Sequence, residues 1–194
     1  MNRPTRHGLV FPLLLLSGLL SLARNATAAE PATTALAAAK QYTDLFKGGQ
    51  AGKAVETYWD FETMLAGVFG DDLKKQKPAD IAEMRKLMLK IIKGVFASPD
   101  VAKLMSSATY ADFASKPDDA GREAVDFTVS LQEKQVTNRL LMARKGSTWR
   151  VIDAGPDGRM MVPLLKAEYQ KALKAGQVKT PLDYVRAMAG EPAK

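Results

Sequence analysis

The chain has 194 residues, a net charge of +7, one histidine and no cysteine. The single histidine, His7, lies in an apolar N-terminal segment, so nothing downstream offers an imidazole or a thiol. That excludes Ser-His-Asp and Cys-His catalysis, imidazole or thiolate zinc sites, and disulfide staples from the rest of the chain. No phosphate-cradling glycine loop and no calcium-type Asp loop is present, so no cofactor is expected. No arginine-rich or aromatic-interleaved stretch points to nucleic acid.

The N-terminus has the three parts of an export signal. Arg3 and Arg6 precede an apolar run from Leu9 to Ala23, and Ala26 and Ala28 then supply the small-x-small pattern of signal peptidase. That run is shorter than the roughly 20 residues a bilayer span needs. Residues 1–28 are expected to be removed near Ala28, which places the mature protein in the periplasm. Arg3, Arg6 and Arg24 fall in this segment with no acid, so the charge drops from +7 to +4. This is an ordinary solubility charge, and it also suits work near anionic lipid. Residues 29–194 have the length of one domain with a single core.

Along that domain the apolar spacing is first helical. Thr34 can cap a helix to Lys47 carrying Leu36, Ala39, Tyr42, Leu45 and Phe46, stopped by Gly48-Gly49. A short helix follows from Ala51 to Trp59. Asp60 caps Phe61–Phe69, where Phe61, Met64, Leu65, Val68 and Phe69 form one face. Pro78 opens a long helix with Met84, Leu87, Met88, Ile91, Ile92, Val95 and Phe96 apolar, broken at Ser98-Pro99. Pro99 to Met105 adds one further turn.

The period then changes. Ala108–Ala114 reads as a weak strand, with 116–121 as a turn. Val125, Phe127, Val129 and Leu131 alternate with polar residues along Glu123–Leu131. Val136–Arg144 and Thr148–Asp153 follow as strands, joined by the tight turn Lys145-Gly146-Ser147. Short links make these four strands an antiparallel meander. Helix returns near Arg159 and stops at Gly176. Thr180-Pro181-Leu182-Asp183 then carries a capping box for a last helix. The fold class is α+β: a four-stranded antiparallel sheet wrapped by helices from both ends of the chain.

Carboxylates are the only acid–base groups left in quantity. Asp71-Asp72 and Asp118-Asp119 sit beside the turn signals Gly70 and Gly121, where short acids bond to backbone or face water. An enzyme of isomerase or hydratase type would draw on Asp126 or Asp153, with a buried carboxylate inside a cavity.

Five segments together resemble the MlaC/Ttg2 (toluene-tolerance) family of periplasmic phospholipid-binding proteins. They are Asp60-Phe61-Glu62-Thr63-Met64-Leu65-Ala66-Gly67-Val68-Phe69-Gly70, the helix opening at Pro78, Trp149-Arg150-Val151-Ile152-Asp153, Asp157-Gly158 with the helix after it, and Leu182 to Met188. The order holds over Ala37 to Met188, and it is the order that carries the resemblance. The stretch Arg159-Met160-Met161-Val162-Pro163-Leu164-Leu165-Lys166 and Lys77 before the proline depart from the family pattern.

The resemblance implies an NTF2-like cone and a non-catalytic carrier, with acyl chains in an apolar cavity. Its implied partners are a phospholipid or similar apolar lipid, an inner-membrane ABC transporter complex and an outer-membrane lipoprotein complex. Sterols or hopanoids would satisfy the same residues. The candidate lining is Phe61, Met64, Leu65, Phe69, Met88, Ile92, Phe96, Phe127, Val129, Leu140, Met142, Met160, Met161 and Leu165. Past the leader there are eight methionines of the nine in the chain, a flexible side chain suited to varied acyl chains. Periodicity alone does not separate a cavity wall from a filled core. Arg150, Arg159 and Lys166 are the headgroup candidates at the mouth. An NTF2-like interaction domain with a solid core is the alternative.

Overall fold

The computed structural model describes residues 32–192; the export-signal expectation for residues 1–28 lies outside them. Helices α1 (Ala35–Lys47), α2 (Ala51–Tyr58), α3 (Phe61–Phe69), α4 (Asp71–Lys74), α5 (Pro78–Ala97) and α6 (Pro99–Ser107) come first. Strands β1 (Thr109–Asp118), β2 (Arg122–Leu131), β3 (Lys134–Lys145) and β4 (Thr148–Pro156) form one antiparallel sheet in sequence order. Helices α7 (Met161–Lys174) and α8 (Pro181–Met188) close the chain. The described residues thus hold eight α-helices and one four-stranded antiparallel sheet, an α+β fold.

The helix ends follow local chemistry. The Thr34 side chain accepts the Ala37 N–H, and Asp60 accepts those of Glu62 and Thr63. Thr180 and Asp183 cap one another's backbone in a complete capping box. Each cap satisfies donors that have no partner within the helix and contributes about 1 kcal/mol.

The sheet is bent by two irregularities. Between Ala111 and Ala114 the β1 register slips against β2 around Asp112, whose φ is 53°. Between β3 and β4 it slips at Leu141/Met142, leaving Ile152 as the extra residue. An extra residue on one strand bends that strand and raises its twist, and here each edge strand carries one. The α2–α3 link crosses to the far edge, where the Asp60 N–H donates to the Val151 carbonyl and Trp59 bridges Val151.

Several boundaries differ from the sequence expectation, among them β4, which runs past Asp153 to Pro156, and α6, which extends to Ser107. Strand β1 runs on to Asp118 through Pro117. An edge strand loses no ladder bond to proline on its free side, so the turn-like composition of 116–121 does not break it. Asp71-Asp72 opens the short helix α4 instead of a plain turn. Helix α7 starts at Met161, which leaves Arg159 and Met160 in the preceding loop. Asp157 and Gly158 there have φ of 48° and 74°, outside helical geometry.

The core falls into two parts. Helix α3 packs chiefly on α7 and α5, with a smaller contact to β4. There Phe69 meets the edges of Tyr169 and Tyr184, with centroids 4.8 and 6.2 Å away. The concave face itself is roofed by α1, α5 and α6, and is only partly filled.

Candidate functional site

An apolar cavity of about 690 Å³ lies between the concave face of the sheet and helices α1, α5 and α6. Its sheet wall takes alternate residues. Phe127, Val129 and Leu131 come from β2, Val136, Asn138 and Leu140 from β3, and Ala154 with Gly155 from β4. Period-two spacing puts the β2 set and the β3 set each on one side of its strand, while Ala154 and Gly155 are neighbours near the end of β4. The helical roof is Tyr42, Thr43 and Phe46 of α1, Ile92, Val95 and Phe96 of α5, and Leu104 and Met105 of α6.

Two features keep the space open. The floor is made of small residues: a Cβ on Gly155 would lie 1.9 Å from the Arg159 carbonyl oxygen, so the loop before α7 crosses there only because glycine leaves room. The roof is braced by ring contacts. Phe46 stands edge-on to Tyr42 and Phe96 with centroids 4.9 Å from each, and Phe113 stacks on Phe127 at 5.2 Å.

Three of the wall's polar side chains are already engaged. Tyr42 Oη accepts from Trp59 Nε1 at 3.3 Å, Thr43 donates to the Lys40 carbonyl, and Tyr110 donates to the Met105 carbonyl. Burial raises the Tyr42 hydroxyl far above its ordinary value and pushes Tyr110 up to about 12. Both stay neutral at neutral pH. A mostly apolar wall, with these polar groups bonded and uncharged, offers a ligand mainly apolar surface.

At the mouth the chemistry changes. Val95 and Leu104 are both exposed large apolar residues, while Gln132, Lys134 and Arg139 supply polar groups. Arg139 is held by Asp126 through two hydrogen bonds of 2.6 and 2.9 Å. The Arg139 guanidinium holds the Asp126 carboxyl below the ordinary carboxylate value, against the cost of partial burial. Lys134, at the β2–β3 turn, makes no ion pair among the described residues.

The structure divides the candidate lining residues. Ile92, Phe96, Phe127, Val129, Leu140 and Met161 line the cavity. Met64, Leu65, Phe69, Met88 and Met142 are buried in the filled core outside it. Their apolar stripes are satisfied by neighbouring helices, as Phe69 is by the tyrosines. Phe61 stacks on Trp59 and borders a different cleft. Leu165 packs on the core from α7, and Met160 sits half-buried at the α7 N-cap. None of the three headgroup candidates is at the mouth. Arg150 lines the cleft behind Trp59, and Arg159 and Lys166 are exposed, the Arg159 side chain outside the cavity lining although its carbonyl lies over Gly155.

Sequence reasoning missed Trp59, Leu104, Met105 and Tyr110, and the mouth cations Lys134 and Arg139. The α1 stripe through Tyr42 and Phe46 was readable as an apolar face, but nothing in it marked a void opposite. The remaining carboxylates have structural duties. Asp71 and Asp72 pair with Lys74 and Lys75, and Asp118 with Arg122. No group of three or more metal-capable side chains comes together among the described residues.

Asp153 is 5 % exposed and does not face the cavity. Its Oδ1 accepts the N–H of Ala154 at 2.8 Å and of Val162 at 2.9 Å, tying β4 to the start of α7. Burial outweighs these bonds and raises its pKa. A raised folded value means its stability contribution is full below the ordinary 3.8 and is lost as pH rises through the folded value. Asp153→Asn keeps the acceptor and drops the buried charge, so it melts within about 1 kcal/mol of the wild type or above it. Its standing against the wild type improves as pH rises from 3.8 toward neutrality. Asp153→Ala leaves two N–H groups unpaired and costs about 1–3 kcal/mol. Thermal unfolding of the three proteins across that range checks both.

No protein-family profile matches this sequence, and neither does any curated protein sequence. Solved structures do match in fold. A phospholipid-binding protein from Ralstonia solanacearum, determined in complex with a phospholipid, superposes with a TM-score of 0.56 at 14 % identity. The alignment covers 79 % of this chain and 93 % of that one. The two chains share a fold.

Proposed function

We propose that this protein is a periplasmic lipid carrier that holds the acyl chains of a phospholipid, or a similar apolar lipid, in the cavity under α1, α5 and α6. The observation that carries this is a large apolar cavity on a fold shared with a phospholipid-binding protein. In this reading residues 1–28 direct export. The carrier then shuttles lipid between an inner-membrane ABC transporter complex and an outer-membrane lipoprotein complex. The work is done by burial, and no nucleophile takes part.

The size sets the cargo. With one methylene taken as about the volume of one water, ~30 Å³, the cavity of about 690 Å³ holds roughly twenty carbons. That is one acyl chain, or the inner halves of two. At about 0.8 kcal/mol per buried methylene, twenty contribute about 16 kcal/mol before costs. Association and ordering cost about 4–15 kcal/mol. The balance favours binding, yet leaves release within reach of a competing membrane.

The test is extraction. The mature protein is purified from a bacterial host, denatured, extracted with organic solvent and read by mass spectrometry. Near-stoichiometric phospholipid is expected. A lipid-free protein that also refuses labelled phospholipid would overturn the carrier and favour an envelope interaction domain.

A further inference from the structure

Behind the cavity lies a second concavity of about 600 Å³, between α2, α5 and the β3–β4 end of the sheet. Trp59 is common to both linings and stands between them. The chemistry on the two sides differs. The cleft is walled by Trp59, Phe61 and Leu89, and it gathers Arg85, Lys86, Lys145 and Arg150 around Glu56 and Asp60.

Both carboxylates are already neutralised. Lys93 pairs with Glu56, and Lys145 pairs with Asp60 at 3.0 Å. Burial alone would raise Asp60, but the Lys145 ammonium and the Thr63 hydrogen bonds hold its carboxyl below the ordinary value. Arg85, Lys86 and Arg150 make no ion pair among the described residues. Three cations from two elements, α5 and β4, therefore converge on one cleft without counter-charge. Two of them are guanidinium forks, whose geometry matches phosphate oxygens in pairs. Trp59 and Phe61, stacked at 18° with centroids 5.8 Å apart, give the same cleft a flat apolar side. A concave site of this kind admits a discrete anion and not a flat bilayer.

We infer that this cleft is a phosphate-ester site, in which Arg85, Lys86 and Arg150 bind the anion and Trp59 with Phe61 carries its apolar portion. The anion comes either from a lipid headgroup or from a free phosphate. The site goes beyond acyl-chain binding and does not depend on it, because Trp59 is the one residue its lining shares with that of the cavity.

The experiment titrates the mature protein with inorganic phosphate at low salt, followed by Trp fluorescence and by amide NMR shifts. The comparison is the triple variant Arg85→Gln, Lys86→Gln, Arg150→Gln. These side chains are exposed or half-exposed and unpaired, so the variant should fold, and circular dichroism verifies that it does. The wild type is expected to bind phosphate, with shifts at Trp59 and Phe61 and weakening as salt rises. The triple variant should bind about tenfold more weakly or worse, and Arg85→Lys with Arg150→Lys should recover part of the loss. Uptake of a labelled phospholipid and of a labelled fatty acid by both proteins separates the sources. If phosphate competes with the phospholipid and the triple variant takes it up more weakly, the anion is a headgroup. If phospholipid uptake is unchanged while phosphate binding is lost, it is a free phosphate. Fatty acid uptake reads the cavity alone, so failure of the carrier is seen separately. No phosphate binding by the wild type, or binding that the triple variant keeps, would overturn the site.

Discussion

Ala154→Trp is expected to remove lipid binding while leaving the protein folded. Ala154 is half-buried on β4 opposite Leu140 and forms part of the cavity floor. An indole there projects into empty space, so its overpacking cost stays at or below about 1–3 kcal/mol. What it takes from the ligand is larger. Displacing only five methylenes loses about 4 kcal/mol, close to a thousandfold in affinity. The measurement is a titration with a fluorescent phospholipid, beside a thermal melt of the same sample. A variant that melts normally and still binds within tenfold of the wild type would place the lipid somewhere else.

Phe69→Ala should do the reverse and strike stability first. Phe69 is 4 % exposed and lies in the helical core against Tyr169 and Tyr184. Tyr169 in turn donates its hydroxyl to Asp72 at 3.1 Å, so the same cluster ties α3, α4, α7 and α8. Truncating a buried phenylalanine in such a place costs about 3–5 kcal/mol, through lost burial and the cavity left behind. Lipid affinity, measured where the variant is still folded, should move by less than threefold. Urea unfolding gives the first number and the phospholipid titration the second. A small stability loss with a large affinity loss would return Phe69 to the binding site.

These two positions show where the sequence stops being legible. Helix ends at Thr34, Asp60 and Thr180 were readable because a cap is local: one side chain meets a donor two or three residues on, and Pro78 because proline suits the first helical position. The alternation of Val125, Phe127, Val129 and Leu131 was readable for the same reason, as one apolar face of a strand, and Phe127 and Val129 stand in the cavity wall. The stripe Phe61, Met64, Leu65, Phe69 has the spacing that a roof over the cavity would also have. Which surface that stripe meets depends on α7 and α8, which lie about a hundred residues away in the chain. Even less legible is the void, since it is made by what is small, Ala154 and Gly155, and by braces among Phe46, Tyr42 and Phe96 that hold the roof off the floor. The mouth cations were missed because charge near a strand end looks the same whether or not a cavity opens beside it. Arg150 was singled out for a headgroup, and the fold puts it behind Trp59 instead.

The central claim is that acyl chains lie between the concave face of the sheet and α1, α5 and α6. It is tested most directly with a phospholipid carrying a diazirine at the end of one acyl chain, photolysed on the mature protein and mapped by peptide mass spectrometry. Adducts are expected on residues that line the cavity, such as Ile92, Phe96, Val129 and Leu140, and Ala154→Trp should abolish them. Adducts concentrated on outward apolar positions such as Leu164, 57 % exposed, and unchanged in that variant, would contradict it.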